Sequence, residues 1–141
     1  HLARPELDEI EELKHPVSSI LIVDDDEDQV SLLEYRLQRL GFDTIFARAG
    51  NEAVESAQAK HPDLILLDLR LPGIDGLRVC QVITDAPDTC DIPIIIISGV
   101  DSPDIVRESR AAGCQFYVRK PYDPNVLFAL IRQTLFDDRL G

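Results

Sequence analysis

The chain has 141 residues, 45% of them hydrophobic, and a formal charge of −12 at neutral pH. That length suits a single domain with a proper core, and the acidity argues against direct partnership with nucleic acid or an anionic membrane surface. No apolar stretch approaches the roughly 20 residues of a bilayer span, no secretory signal is legible at the N-terminus, and three cysteines without CxxC or zinc spacing fit a reducing cytoplasm.

In chain order, strand and helix signals alternate five times. Residues 1–18 are acidic and only partly periodic (Leu7, Ile10, Leu13), with a break at Pro16, and read as a linker or the end of a preceding helix. Residues 20–23 form an apolar strand. Val30, Leu33, Leu37 and Leu40 make a helical stripe over 28–40 that Gly41 ends. A short strand over 44–47 follows, and then a helix capped by Asn51 that fades at His61-Pro62. Residues 64–67 are the third strand. A third helix runs from Gly76 or Leu77 to about Thr84, and 86–90 is a polar loop. The fourth strand spans 92–97 with Pro93 at its start, and Pro103 fits the first turn of a fourth helix ending near Gly113. Residues 115–118 are the fifth strand, and Pro124 opens a last helix through Leu127, Leu130, Ile131 and Leu135. Cys114, beside an apolar run, reads as a small core residue. Alternating strands and helices imply right-handed crossovers and a parallel sheet covered on both faces, an α/β fold.

Two of these strands end in acid. Asp24, Asp25 and Asp26 follow Ile20–Val23, and Asp68 closes Leu64–Leu67 ahead of Leu71-Pro72-Gly73. Apolar runs without helical period are strands buried on both faces, and the C-terminal ends of parallel strands share the edge where ligands bind. Gathering carboxylates there is costly unless a cation holds them, so the pattern predicts a divalent-metal site. Asp26, Glu27 and Asp28 are equally suited to the N-terminus of the first helix, where negative charge meets the helix dipole. His1, His15 and His61 carry no chemical pattern.

The motifs ILIVDDDED, PDLILLDLRLPGIDGL, IPIIIISG and CQFYVRKPY, in this order and each at a predicted strand end, resemble the receiver domain of two-component response regulators over roughly residues 19–137. The resemblance implies a flavodoxin-like, doubly wound five-stranded parallel sheet of order 2-1-3-4-5 with five helices. It implies that Asp68 is the phosphoacceptor, that Asp24 and Asp25 hold Mg²⁺ together with Asp68 and the backbone carbonyl of Arg70, and that Lys120 reaches the phosphoryl oxygens. Ser98 would hydrogen-bond the attached phosphoryl group, and Tyr117 would rotate inward behind it. The Lys120-Pro121 bond in such domains is often cis. Implied partners are a histidine kinase or phosphotransfer protein, a downstream protein or attached output domain, and a dimer formed on phosphorylation. The partner surface would be the fourth helix, fifth strand and fifth helix, carrying Arg107, Arg110, Arg119 and Arg132.

The chain departs from the commonest pattern at Arg70, where methionine is frequent, at Val100, and at Gly99, where alanine is usual and glycine would loosen the loop. Arg70 and Val100 flank the path of hydrolytic water in this family and would tune the phosphoryl lifetime. Two other readings are a degenerate receiver acting only as an interaction module and a metal-dependent phosphatase with an aspartyl nucleophile. The first would be free to lose some of Asp24, Asp25, Asp68, Ser98 and Lys120, and the second needs an acid where Arg70 stands. Self-phosphorylation and dephosphorylation would be the only catalysis. Residues 138–141 read as a tail, and the domain either works alone or comes from a larger regulator or hybrid kinase.

Overall fold

A computed structural model describes residues 17–136. The readings made for 1–16 and for the tail after 136 lie outside the described residues. The elements are β1 (Ser19–Val23), α1 (Glu27–Arg39), β2 (Asp43–Ala47), α2 (Gly50–Lys60), β3 (Leu64–Leu67), α3 (Gly76–Asp85), β4 (Ile94–Ser98), α4 (Ile105–Ala111), β5 (Phe116–Arg119) and α5 (Pro124–Phe136). All strand pairs are parallel and the sheet order is β2-β1-β3-β4-β5, as the alternating pattern and the resemblance imply. Among the described residues no helix is long and apolar enough to cross a membrane.

The sheet has a core on each face, which is why its central strands lack polar alternation. Ile20, Ile22, Leu64, Leu66, Ile95 and Ile97 point toward α1 and α5 and meet Leu33, Leu37, Leu127 and Ile131. Their neighbours Leu21, Val23, Ile65, Leu67, Ile94 and Ile96 point the other way, toward Ala53 and Ala57 of α2 and Val79, Cys80 and Ile83 of α3. Each fully buried leucine or isoleucine contributes roughly 1.5–3 kcal/mol relative to exposure. Cys80 and Cys114 are both buried, in keeping with their apolar surroundings, and burial pushes the Cys80 thiol up to about 11.

Several element boundaries differ from the sequence pattern, each for a tertiary reason. Asn51 is not the cap of α2. The helix starts at Gly50 with Ala49 in the capping position and no side-chain cap, while Glu52 accepts from the Arg48 N–H. A Cβ on Gly50 would lie 2.4 Å from the Ile74 carbonyl oxygen, so close packing on the β3–α3 loop fixes this start. Pro103 lies in a turn ahead of α4, closed by the Ile105 N–H on the Ser102 carbonyl. β4 begins at Ile94 rather than 92, because Pro93 has no N–H for the ladder, although its carbonyl accepts from Ile65. The loop after α3 is not simply polar: Thr89 is buried and its hydroxyl donates to the Ile83 carbonyl at 2.8 Å.

Candidate functional site

Strand register brings the acidic residues together. Val23 pairs with Ala47 on one side and Leu67 on the other, and the ladder continues one step further. The Asp24 N–H donates to the Ala47 carbonyl at 3.1 Å, and the Asp68 N–H to the Val23 carbonyl at 2.9 Å. At the far side the Lys120 N–H donates to the Ser98 carbonyl at 2.9 Å. Asp24, Asp68, Ser98 and Lys120 thus all lie at the C-terminal edge of the sheet, and Lys120 is joined to Pro121 by a cis peptide bond.

The Lys120 ammonium bridges the two strand-end carboxylates, 3.2 Å from Asp24 Oδ2 and 3.0 Å from Asp68 Oδ2. The other oxygen of each accepts a local backbone N–H: Asp26 on Asp24 Oδ1 at 3.0 Å, and Arg70 on Asp68 Oδ1 at 3.1 Å. Asp24 is only 8% exposed. Burial raises its carboxyl above the ordinary range, the Asp26 N–H and the Lys120 charge oppose this, and the Asp68 charge adds to it. For Lys120, burial alone would lower the ammonium, but the hydrogen bonds and charges of Asp68 and Asp24 prevail and hold it above its usual value. Lys120 is therefore a permanent positive charge in the acidic cluster at neutral pH.

The donors suit a hard cation. Among the described residues no three acidic, histidine or cysteine side chains converge to hold a metal unaided. The edge nevertheless offers carboxylate oxygens of Asp24 and Asp68 with spare lone pairs, the exposed Asp25 next to them, and an Arg70 carbonyl that accepts no backbone hydrogen bond from the described residues. A small set of oxygens fits Mg²⁺, which keeps several of its waters, and does not fit zinc, which wants nitrogen or sulfur in a closed tetrahedron.

Asp26 stands apart from this cluster. It is the N-cap of α1, its Oδ1 accepting from the N–H groups of Asp28 and Gln29 at 3.1 and 3.3 Å. The sequence placed it at this helix N-terminus on the ground of the helix dipole, and the side chain adds capping hydrogen bonds to that.

Beneath Asp24, Asp68 and Lys120 lies a cavity of about 20 Å³, enough for roughly one water, bounded also by Gln29 and Tyr122. Tyr122 was not singled out in the sequence. Its ring packs against the α1–α5 core, and burial raises its hydroxyl while the nearby Arg36 and Lys120 charges lower it. The only signal for it was an aromatic directly after Lys120-Pro121.

The remaining predicted residues meet in the β4–α4 loop. Ser98 is fully buried and its Oγ accepts the Val100 N–H at 3.1 Å. Tyr117 is half-buried against the α2–α3 core, with its hydroxyl donating to the Val100 carbonyl at 2.8 Å. Both backbone groups of Val100 are therefore taken, and Gly99 before it has open space where a Cβ would stand. The Arg70 side chain is exposed and makes no ion pair or hydrogen bond among the described residues. The expected basic face is also less basic than its sequence: Arg107 pairs with Asp104 at 2.7 Å and Arg119 with Asp101 at 2.5 Å, leaving Arg110 and Arg132 exposed.

Comparison with known proteins gives a consistent result. The profile of the response regulator receiver domain matches residues 20–132. The chain is 36% identical over 116 residues to the alkaline phosphatase synthesis transcriptional regulatory protein PhoP of Bacillus subtilis, covering 82% of this chain but only 48% of that protein, so it spans about half of this relative. It is 33% identical over 119 residues to the polar-differentiation response regulator DivK of Brucella ovis, covering 84% of this chain and 97% of DivK. Among solved structures, the receiver domain of sensor histidine kinase PA1611 from Pseudomonas aeruginosa, with a magnesium ion coordinated in its active site cleft, superposes with a TM-score of 0.78 at 27% identity, covering 84% of this chain and 98% of that one.

Proposed function

The chain belongs to the response regulator receiver domain family, the phosphoacceptor switches of two-component signalling, and on that premise we propose that it takes a phosphoryl group onto Asp68 from a phosphohistidine of a histidine kinase or phosphotransfer protein. The observation that carries this reading is the Lys120 ammonium held between Asp24 and Asp68 at the sheet edge. In the transfer, an Asp68 carboxylate oxygen attacks phosphorus and an acyl P–O bond forms. The P–N bond to the donor imidazole breaks, its electron pair leaves on nitrogen, and that nitrogen is then free to take a proton.

Two anions must meet for this to happen, so the protein's contribution is position and charge. Lys120, already fixed against the nucleophile, lies where it can move onto a phosphoryl oxygen as charge develops. Its release from Asp68 leaves it beside Asp24, so the ammonium never has to be rehydrated. Asp24, Asp25, Asp68 and the Arg70 carbonyl would hold Mg²⁺, and the bound ion supplies further neutralisation of the approaching phosphoryl charge. Mg²⁺ in the cleft of the PA1611 receiver domain supports that assignment by analogy.

Ser98 and Tyr117 are the switch in this reading. The Ser98 hydroxyl accepts from Val100 and still has a proton to donate to a phosphoryl oxygen. Tyr117 grips the carbonyl of the same Val100, so a shift of Ser98 is passed directly to the ring and from there to the α4–β5–α5 face, where a downstream protein, an output domain or a second copy would dock. Arg70, exposed two residues after Asp68, and Val100, two residues after Ser98, would set how long the phosphoryl group survives against water.

Incubation with Mg²⁺ and acetyl phosphate, followed by intact-mass measurement, tests the proposal. A single phosphoryl adduct that disappears in Asp68→Asn is expected. No adduct in the wild type would leave an interaction module, and an adduct that survives in Asp68→Asn would move the acceptor elsewhere.

A further inference from the structure

We propose that Asp101 and Arg119, neither of which belongs to the phosphoryl site, are positioning residues that hold the β4–α4 loop in the arrangement where Tyr117 is docked. This deepens, and rests on, the reading of Ser98 and Tyr117 as the switch.

Beyond the ladder bond from Lys120 to Ser98, two contacts tie this loop to β5. The Tyr117 hydroxyl holds the Val100 carbonyl at 2.8 Å, and the Arg119 guanidinium holds the Asp101 carboxylate at 2.5 Å. Tyr117 and Arg119 are two residues apart on a strand and so project from the same side, while Val100 and Asp101 are consecutive in the loop. Two neighbouring teeth of β5 thus clasp two neighbouring residues of the loop. The tyrosine reads only backbone and would accept any residue at 100. The arginine reads a side chain, which makes the clasp a property of this sequence.

Both contacts require the same path of the loop, so each favours the other. The Asp101–Arg119 pair is well exposed, at 65% and 61% of the side chains, and ion pairs of that kind shift an equilibrium only a few-fold. A few-fold bias is enough where two arrangements of a loop differ little in energy. The Arg107–Asp104 pair, by contrast, is an i,i+3 contact between the turn before α4 and its first turn, and does not reach β5.

The chain has three tyrosines, Tyr35, Tyr117 and Tyr122, so protein labelled with 3-fluorotyrosine gives three ¹⁹F signals, and beryllofluoride with Mg²⁺ serves as the phosphoryl mimic. Asp101→Asn and Arg119→Gln are each expected to raise the beryllofluoride concentration at half-saturation about two- to fivefold. They should also broaden or shift the Tyr117 signal while leaving Tyr35 and Tyr122 in place. The double variant should be no worse than either single, high salt should bring the wild type toward the variants, and Asp101→Arg combined with Arg119→Asp should recover the wild-type response. Unchanged half-saturation in both singles, or additive losses in the double, overturns the proposal. Ser98→Ala separates the two levels: if it too leaves the response unchanged, the underlying switch reading fails, whereas a response altered by Ser98→Ala but not by Asp101→Asn removes only the ion pair.

Discussion

Gly76 shows how little freedom a single residue has at this sheet edge. A Cβ there would stand 2.5 Å from the Leu69 Cα and 2.6 Å from the Asp68 carbonyl oxygen, both backbone atoms that cannot swing aside. Gly76→Ala should therefore push α3 off the end of β3, cost about 2–4 kcal/mol in urea unfolding and slow formation of the Asp68 adduct. Gly99→Ala is the contrast. No atom lies within 4 Å of its would-be Cβ, so stability should change by less than about 0.5 kcal/mol. Both glycines stand in recognisable motifs, yet only the structure separates an obligatory one from an optional one. The contacts of Gly76 come from Asp68 and Leu69, residues whose approach depends on α3 packing back onto the sheet. The same holds for Tyr122 and Asp101, whose neighbours are far away in sequence.

At the scale of elements, α1 separates two uses of adjacent acids. Asp24 and Asp25 belong to the sheet edge, while Asp26 caps the helix through the N–H groups of Asp28 and Gln29. Asp26→Ala should cost about 1 kcal/mol, seen as a lower urea midpoint, without abolishing the Asp68 adduct. Loss of the adduct would mean that Asp26 belongs to the chemistry. The strands β1 and β3 were legible almost to the residue, because burial on both faces writes an uninterrupted apolar run. The starts of β4, α2 and α4 were not. Pro93, Gly50 and Pro103 all signal a boundary, but its exact place depends on which distant carbonyl or loop the backbone meets.

For the molecule as a whole, the acidic edge opposes folding until something neutralises it. Asp24 is buried beside Asp68 with Lys120 as the shared counter-charge, so one positive group serves two negative ones. In the absence of metal, Asp24→Asn should stabilise the protein by about 1 kcal/mol, a rise in Tm of a few degrees. Mg²⁺ should raise the Tm of the wild type, by about 1.4 kcal/mol at a tenfold excess over its Kd, and raise that of Asp24→Asn much less. Thermal melts in EDTA and in excess Mg²⁺ measure both. An equal shift in the two proteins would remove Asp24 from the metal site. The cost of the acidic edge was readable from the sequence as charge at strand ends, whereas Lys120 was legible only through the family motif that carries it, since it lies 52 residues from Asp68 and no local pattern joins the two.

The hydrogen-bond ladder that runs one step past Val23 makes the sheet a ruler. Asp24 and Asp68 are held on adjacent strands, at a separation set by the roughly 4.8 Å strand spacing rather than by the conformation of any loop. Lengthening or rewriting the turns at the opposite edge, between α1 and β2 or between α2 and β3, leaves that separation untouched. The spacing of the two carboxylates is thereby insulated from change at that edge, and a slip of strand register, which would turn both cores inside out, is what it would take to alter it.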